Sequence, residues 1–92
     1  MPAEYRAIFS SEAREDFAKL PYQLRKVVRS EIERLCESPA TISRPAPTPP
    51  FPPNRQVFEF NTIMDGFDHR FAVLFRYTQD EQGLFILGIG HW

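Results

Sequence analysis

The sequence has little of what anchors or cross-links many small proteins. It contains one cysteine, so no disulfide can form within the chain. Its two histidines, His69 and His91, are not accompanied by a cysteine cluster, and we expect no metal site and no cofactor. No apolar run approaches the roughly 18 uncharged residues of a membrane-spanning helix, and the start of the chain does not resemble a signal peptide. These absences predict a cytoplasmic protein with no membrane partner.

The sequence also has no large excess of positive or of negative charge. Eleven Lys and Arg residues face twelve Asp and Glu residues, so bulk electrostatics does not indicate a nucleic-acid binder, and any anionic partner must be bound by a local patch. Most of the basic residues are arginine, which suits bidentate contact with phosphate or carboxylate. A length of 92 residues with 42% hydrophobic residues predicts one globular domain over residues 1–92.

The first part of the chain predicts a strand followed by two helices. Residues 4–9 are aromatic and β-branched over the length of a strand, and Ser10-Ser11-Glu12 supplies a capping hydroxyl and an acid for a short first helix. Pro21 suits the first position of a second helix. That helix carries one apolar stripe, which Cys36 extends and Pro39 ends: Leu24, Val27, Val28, Ile32 and Leu35.

Residues 39–53 contain seven prolines, a composition that favours extended polyproline II and predicts neither helix nor strand. Such a segment could be a ligand for an aromatic groove in a partner, or a stiff connector. We interpret it as a connector, because it lies between a helix and a sheet that must be joined.

Beyond Asn54 the pattern predicts strands to the end of the chain. Residues 55–63 and 67–77 alternate apolar and polar side chains around the turn signal Met64-Asp65-Gly66, which predicts a hairpin. A polar loop at 79–83 precedes the apolar run 84–89. The fold class is therefore α+β in the order β-α-α-β-β-β, with a helical hairpin packed on one face of a small antiparallel sheet.

Two arginines share one face of the second hairpin strand. Because side chains alternate along a strand, Phe71, Val73 and Phe75 point to one side while Arg70 and Arg76 point to the other. If the helices cover the Phe/Val side, the arginines could bind a phosphate backbone or an acidic partner. The alternative is a solvated face with paired charges, on which Glu59 would be the neighbour of the arginines.

The last strand brings His91 and Trp92 together. Imidazole is the usual acid or base near neutral pH, and an aromatic side chain can stack on a nucleic-acid base. The alternative is that this segment only covers the edge of the core with the indole ring.

Taken in order, several short segments make the chain similar to the RelE/ParE superfamily of toxin–antitoxin toxins. They are residues 5–13, Asp16 to Pro21, residues 35–39, the strand that begins with Asp68-His69-Arg70, and the closing Gly-Ile-Gly-His of residues 88–91. The resemblance spans nearly the whole chain. It implies a helical hairpin on one face of the sheet and the toxic site on the other.

Within that superfamily, His91-Trp92 resembles the branch related to YoeB, whose members cleave mRNA in the ribosomal A site. The resemblance implies that His91 is the acid and that Arg70 stabilises charge on the phosphate. Glu59 is the one acid in the equivalent strand, Arg55 and Arg76 would hold the RNA backbone, and Trp92 would bind RNA. The chain departs from the family in its proline-rich connector, where ribonuclease members often carry lysines or a carboxylate.

Two other functions stay open at this point. The protein could inhibit DNA gyrase, as the ParE branch does, or it could be a diverged member that acts only as a protein-interaction module. The resemblance implies a cognate antitoxin as partner in every case. The nuclease hypothesis requires that Arg70 and His91 converge on the sheet face that the helices leave uncovered.

Overall fold

The structure, a computed structural model, describes residues 5–92, which form three helices and one five-stranded sheet. Glu4, predicted as the start of the first strand, lies outside the described residues. The predicted α+β class is confirmed. None of the helices in residues 5–92 is long and apolar enough to cross a membrane. The elements in chain order are β1 (Arg6–Phe9), α1 (Ser11–Ala18), α2 (Tyr22–Glu37), α3 (Pro39–Ile42), β2 (Arg44–Pro45), β3 (Gln56–Met64), β4 (Phe67–Tyr77) and β5 (Gly83–His91).

The sheet has the strand order β1-β5-β4-β3-β2 and is mixed. β1 pairs with β5 in parallel, and the other neighbours pair antiparallel. The prediction of a purely antiparallel sheet is therefore wrong at the β1 edge. Helices and strands intervene between β1 and β5, and a connection of that length allows the later strand to return in the same direction.

The proline-rich segment is more regular than its composition predicts. Pro39 opens α3, because the N–H that proline lacks has no partner at the start of a helix anyway. Pro45 lies in β2, an edge strand, where a missing donor is tolerated. The prediction that residues 39–53 contain neither helix nor strand is thus wrong for 39–42 and 44–45. Pro21 also differs slightly from its predicted place, since it is the N-cap of α2 and Tyr22 begins the helix.

The helices cover one face of the sheet, called here the helix-side face; the opposite face is called the open face. The stripe of α2 packs on the helix-side residues of β3, β4 and β5, and Cys36 is buried with it. In the middle of β4 the helix-side residues Phe71, Val73 and Phe75 are fully buried, and the positions that alternate with them are half-buried or exposed. Fully buried large side chains at this interface are Leu35, Phe58, Phe71, Phe75, Leu84 and Ile86.

Two side chains attach the start of the helical hairpin to an irregularity in β5. The pairing of β4 with β5 shifts between Leu74 and Phe75, so that Leu87 has no partner in the register and forms a β-bulge. The hydroxyl of Ser10, the N-cap of α1, accepts from the Ala13 N–H and donates to the Leu87 carbonyl. Asp16 Oδ2 accepts from the Ile89 N–H at 3.0 Å. Polar groups freed by the bulge are thereby satisfied.

We expect Asp16→Ala to lower the free energy of unfolding by about 1–3 kcal/mol, because the Ile89 N–H would lose its acceptor in a partly buried position. Urea titration followed by circular dichroism measures the change. Glu15→Ala is the matched control, since Glu15 is exposed on the same helix, and its effect should stay within about 0.5 kcal/mol. Equal effects of the two substitutions would contradict this role of Asp16.

Candidate functional site

The β3–β4 hairpin sets which side chains meet on the open face. Its two-residue turn consists of Asp65 and Gly66, with φ angles of 54° and 81°, as the tight turns of hairpins require. The turn fixes Asn61 opposite Arg70, and Glu59 opposite Ala72. Directly opposed residues of an antiparallel pair share a face, so the carboxylate of Glu59 and the guanidinium of Arg70 lie on the same side of the sheet.

Trp92 joins this group from the end of β5. Its backbone N–H donates to the Arg70 carbonyl and its carbonyl accepts from the Arg70 N–H, both at 2.9 Å. The indole lies over Gly90, where a Cβ atom would be 3.5 Å from the ring, at ordinary van der Waals contact. Glu59, Asn61, Arg70 and Trp92 line one open cavity of about 310 Å³. We call this cavity the Arg70 pocket.

The charges in and around the Arg70 pocket are paired in the free protein. Arg70 Nε donates to Asp68 Oδ2 at 3.1 Å, and the Asn61 amide donates to the other oxygen at 2.8 Å. The Asn61 hydrogen bond, followed by that of Arg70, lowers the pKa of Asp68 below its ordinary value. Glu59 forms an ion pair with Arg44 of β2, not with Arg70. The predicted alternative of paired charges on this face is therefore present, with Asp68 as the partner of Arg70.

His91 lies on the other side of the sheet. It is the register partner of Phe71, and its ring stacks on that buried phenyl ring at a centroid distance of 4.6 Å and an interplanar angle of 8°. Phe71 faces the helices, so His91 belongs to the helix-side face while Arg70 belongs to the open face. The predicted convergence of Arg70 and His91 is wrong, because the β-bulge at Leu87 shifts the register of β5 by one residue.

Arg55 and Arg76 meet at the opposite end of the hairpin. Both line an open cavity of about 380 Å³ next to Tyr77 and Glu81. The Arg76 guanidinium lies 4.8 Å from the centre of the Phe85 ring, a cation–π contact. Arg76 lies six positions along the strand from Arg70, a distance of about 20 Å. The two arginines can therefore contact one extended chain but not one phosphate.

The structure thus brings three of the six predicted site residues together in the Arg70 pocket, namely Glu59, Arg70 and Trp92. Arg55 and Arg76 form a second group, and His91 stands apart from both. Sequence reasoning missed Arg44, Asn61 and Asp68 as charged or polar neighbours. Asn61 could have been found, because a two-residue turn at 65–66 already requires it to face Arg70.

A helical hairpin packed on one face of a small mixed sheet is also the fold of solved RelE toxin structures. This chain is similar to the RelBE2 toxin–antitoxin complex of Mycobacterium tuberculosis, with 21% identity, a TM-score of 0.75, and coverage of 97% of this chain and 99% of that one. It is also similar to the intact E. coli RelBE complex, with 15% identity, a TM-score of 0.61, and coverage of 94% of each chain.

A third similar structure is a double arginine-to-alanine mutant of E. coli RelE in the free state, with 15% identity, a TM-score of 0.62, and coverage of 95% of this chain and 82% of that one. Because that structure is of the toxin by itself, the shared fold is the toxin fold. No protein-family model and no curated protein matches the sequence. The chain therefore has the RelE fold, whereas the YoeB-like branch stays a prediction.

Proposed function

We propose that this chain is the toxin of a type II toxin–antitoxin pair and that it cleaves mRNA on the ribosome by a reaction that does not use His91. The nuclease hypothesis in the form that requires His91 beside Arg70 fails, because the two side chains lie on opposite faces of the sheet. The observation that carries the proposal is the Arg70 pocket, which places Glu59, Arg70 and Trp92 in one cavity on the sheet face opposite the helices. These side chains are accessible, since the side chain of Arg70 is 62% exposed and that of Glu59 is 48% exposed. The RelE fold over nearly the full length of the chain supports the same class of protein.

The chemistry is an attack of a ribose 2′-oxygen on the adjacent phosphorus. Glu59 takes the proton of the 2′-hydroxyl, the new O–P bond forms, and the bond from phosphorus to the 5′-oxygen breaks. Arg70 stabilises the extra negative charge on the phosphate oxygens, and Trp92 stacks on a neighbouring base. The 5′-oxygen takes its proton from water, since His91 lies on the other face. The products are a 2′,3′-cyclic phosphate and a 5′-hydroxyl end.

The near-neutral charge favours RNA that is presented by a larger assembly. A net charge of −1 gives little of the general attraction to phosphate that a free RNA-binding protein uses. Arg70 and Arg44 are moreover paired with carboxylates, which RNA must displace. The ribosome would hold the mRNA strand in place and supply the affinity that the toxin lacks. We therefore infer that cleavage depends on ribosomes.

A groove at the other edge of the sheet suits the antitoxin. In residues 5–92 no strand pairs with the outer edge of β1, and a cavity of about 610 Å³ lies along it, between β1 and the helices. Its apolar lining includes Phe9, Phe17 and Ile32, and its charged lining is Arg14 and Arg29 against Glu33. An extended acidic segment could add a strand to β1 and bury apolar side chains in the groove. We propose an acidic antitoxin segment as the occupant.

Expression in E. coli tests the proposed function. We expect growth to stop on induction, with mRNA cut in ribosome-containing extracts and left intact in extracts without ribosomes, as primer extension measures. Co-expression of a short acidic protein encoded next to this chain should restore growth. Growth arrest with intact mRNA and a loss of gyrase supercoiling in vitro would replace the nuclease with the gyrase alternative.

One observation favours a second candidate function, a protein-interaction module without catalysis. The family resemblance assigns the acid to His91, and that residue does not share a face with Arg70. If the reaction requires an imidazole beside the arginine, the chain binds its antitoxin but cannot cleave RNA. Stable co-purification with the antitoxin, together with normal growth when the chain is expressed without it, would establish this second function.

A further inference from the structure

The two histidines of the sequence, 22 positions apart, meet on the helix-side face of the sheet. His91 pairs with Phe71, and His69 precedes Phe71 by two residues on β4, so the two imidazoles are diagonal neighbours across the strand pair. His69 Nδ1 lies 3.1 Å from His91 Nε2, and the ring centroids are 5.3 Å apart with an interplanar angle of 25°. The proposed cleavage of RNA uses neither ring.

We propose that His69 and His91 chelate a divalent transition-metal ion such as Zn²⁺ or Ni²⁺. A metal bound at about 2.05 Å to two imidazole nitrogens holds those nitrogens about 2.9 Å apart at an angle of 90° and about 3.3 Å apart at the tetrahedral angle. The observed separation of 3.1 Å lies between these values. The ligand atoms thus have the required spacing before any ion is bound.

The surroundings of the two rings hold them in place. The stack on Phe71, which is 1% exposed, fixes the plane of His91, and the paired strands fix the distance to His69. Preorganised ligands lose little freedom on binding, which favours chelation. His91 is exposed and His69 is half-buried, so an ion can enter from solvent with water in its remaining coordination positions. Within residues 5–92 no cluster of three or more metal-ligating side chains occurs, so the site is a two-ligand chelate.

Binding requires a change of tautomer. At hydrogen-bond distance, one of the two facing nitrogens carries the proton that the other accepts. To coordinate the ion, that ring must transfer its proton through solvent to its other nitrogen, and the rings must turn slightly so that the two free lone pairs converge on the ion and not on each other. Two neutral rings therefore bind the ion without a net release of protons.

Titration of the untagged full-length protein with Zn²⁺ or Ni²⁺ tests the site. We expect one ion per chain, selective broadening of the two histidine ring signals in NMR spectra with Ni²⁺, and a higher midpoint of urea unfolding with Zn²⁺. His69→Ala and His91→Ala should each weaken binding at least tenfold, because the chelate becomes a single ligand. Asp68→Asn is the control and should bind as the unchanged protein does, since Asp68 lies on the open face.

Two results would overturn the proposal. The first is the absence of saturable binding at ion concentrations up to about 1 mM, the range of weak single-site affinity. The second is equal affinity of the unchanged protein and His69→Ala, which would place the ion elsewhere. Neither result bears on the proposed function, because RNA cleavage and growth arrest are measured with no added transition-metal ion and depend on the open face.

Discussion

Replacing Phe71 with alanine is expected to lower the free energy of unfolding by about 3–5 kcal/mol. The ring is 1% exposed and stacks on Phe60 of β3 at 5.1 Å and on His91 of β5 at 4.6 Å, so its loss opens a cavity that spans three strands. A domain of this size is typically stable by only about 5–15 kcal/mol, so the variant should be close to unfolding at 37 °C. Urea denaturation followed by circular dichroism measures the change.

Phe67→Ala is the matched control for this prediction. Phe67 lies on the same strand and the same face, but the residue is 70% exposed. Its replacement should change the free energy of unfolding by no more than about 0.5 kcal/mol. Similar losses for the two variants would contradict the assignment of the Phe71 effect to burial beneath the helices.

The elements that the sequence predicted well are those determined by local patterns. The apolar stripe of α2 follows from helical spacing, and its burial against the sheet is confirmed for Leu24, Val28, Ile32 and Leu35, whereas Val27 is only half-buried. The Asp65-Gly66 turn fixes the hairpin register by itself, because a two-residue loop allows the flanking strands to pair in only one register. The shared open face of Arg70 and Arg76 follows from strand alternation and is also confirmed, since their helix-side neighbours are buried.

The placement of His91 could not be predicted, because it depends on one extra residue in β5. Near the start of that strand, Tyr77 pairs with Leu84 and Phe75 with Ile86. If the same register continued, His91 would face Arg70 and the two side chains would share the open face. The bulge at Leu87 shifts the pairing, so that His91 faces Phe71 and Trp92 takes the place opposite Arg70.

The bulge also explains why the site combines residues that sequence reasoning assigned separately. The bulge is held by hydrogen bonds to the Ser10 hydroxyl and the Asp16 carboxylate, which lie more than 70 positions away in the sequence. Contacts at such a separation leave no periodic signal in the strand itself. The same shift that removes the imidazole from the Arg70 pocket brings in the indole and leaves His91 beside His69.

Substitutions in the Arg70 pocket should have the largest effects on activity. We expect Arg70→Ala to slow ribosome-dependent cleavage by about 10²–10³-fold, because the charge that develops on the phosphate loses its counterion. Glu59→Gln should slow it by about 10²–10⁴-fold, because the amide cannot take the 2′-hydroxyl proton. Both variants should relieve growth arrest. Cleavage is measured by primer extension on a defined mRNA with purified ribosomes.

His91→Ala is the control that separates this site from the one implied by the family resemblance. Because His91 lies on the helix-side face, the variant should cleave at nearly the unchanged rate and still arrest growth. Co-sedimentation with programmed ribosomes measures binding independently of cleavage. Glu59→Gln should retain this binding while it loses cleavage. His91→Ala could instead lose most of its activity while it still binds ribosomes. That result would mean that the imidazole reaches the phosphate around the end of β5, and it would contradict the assignment of the site to the Arg70 pocket.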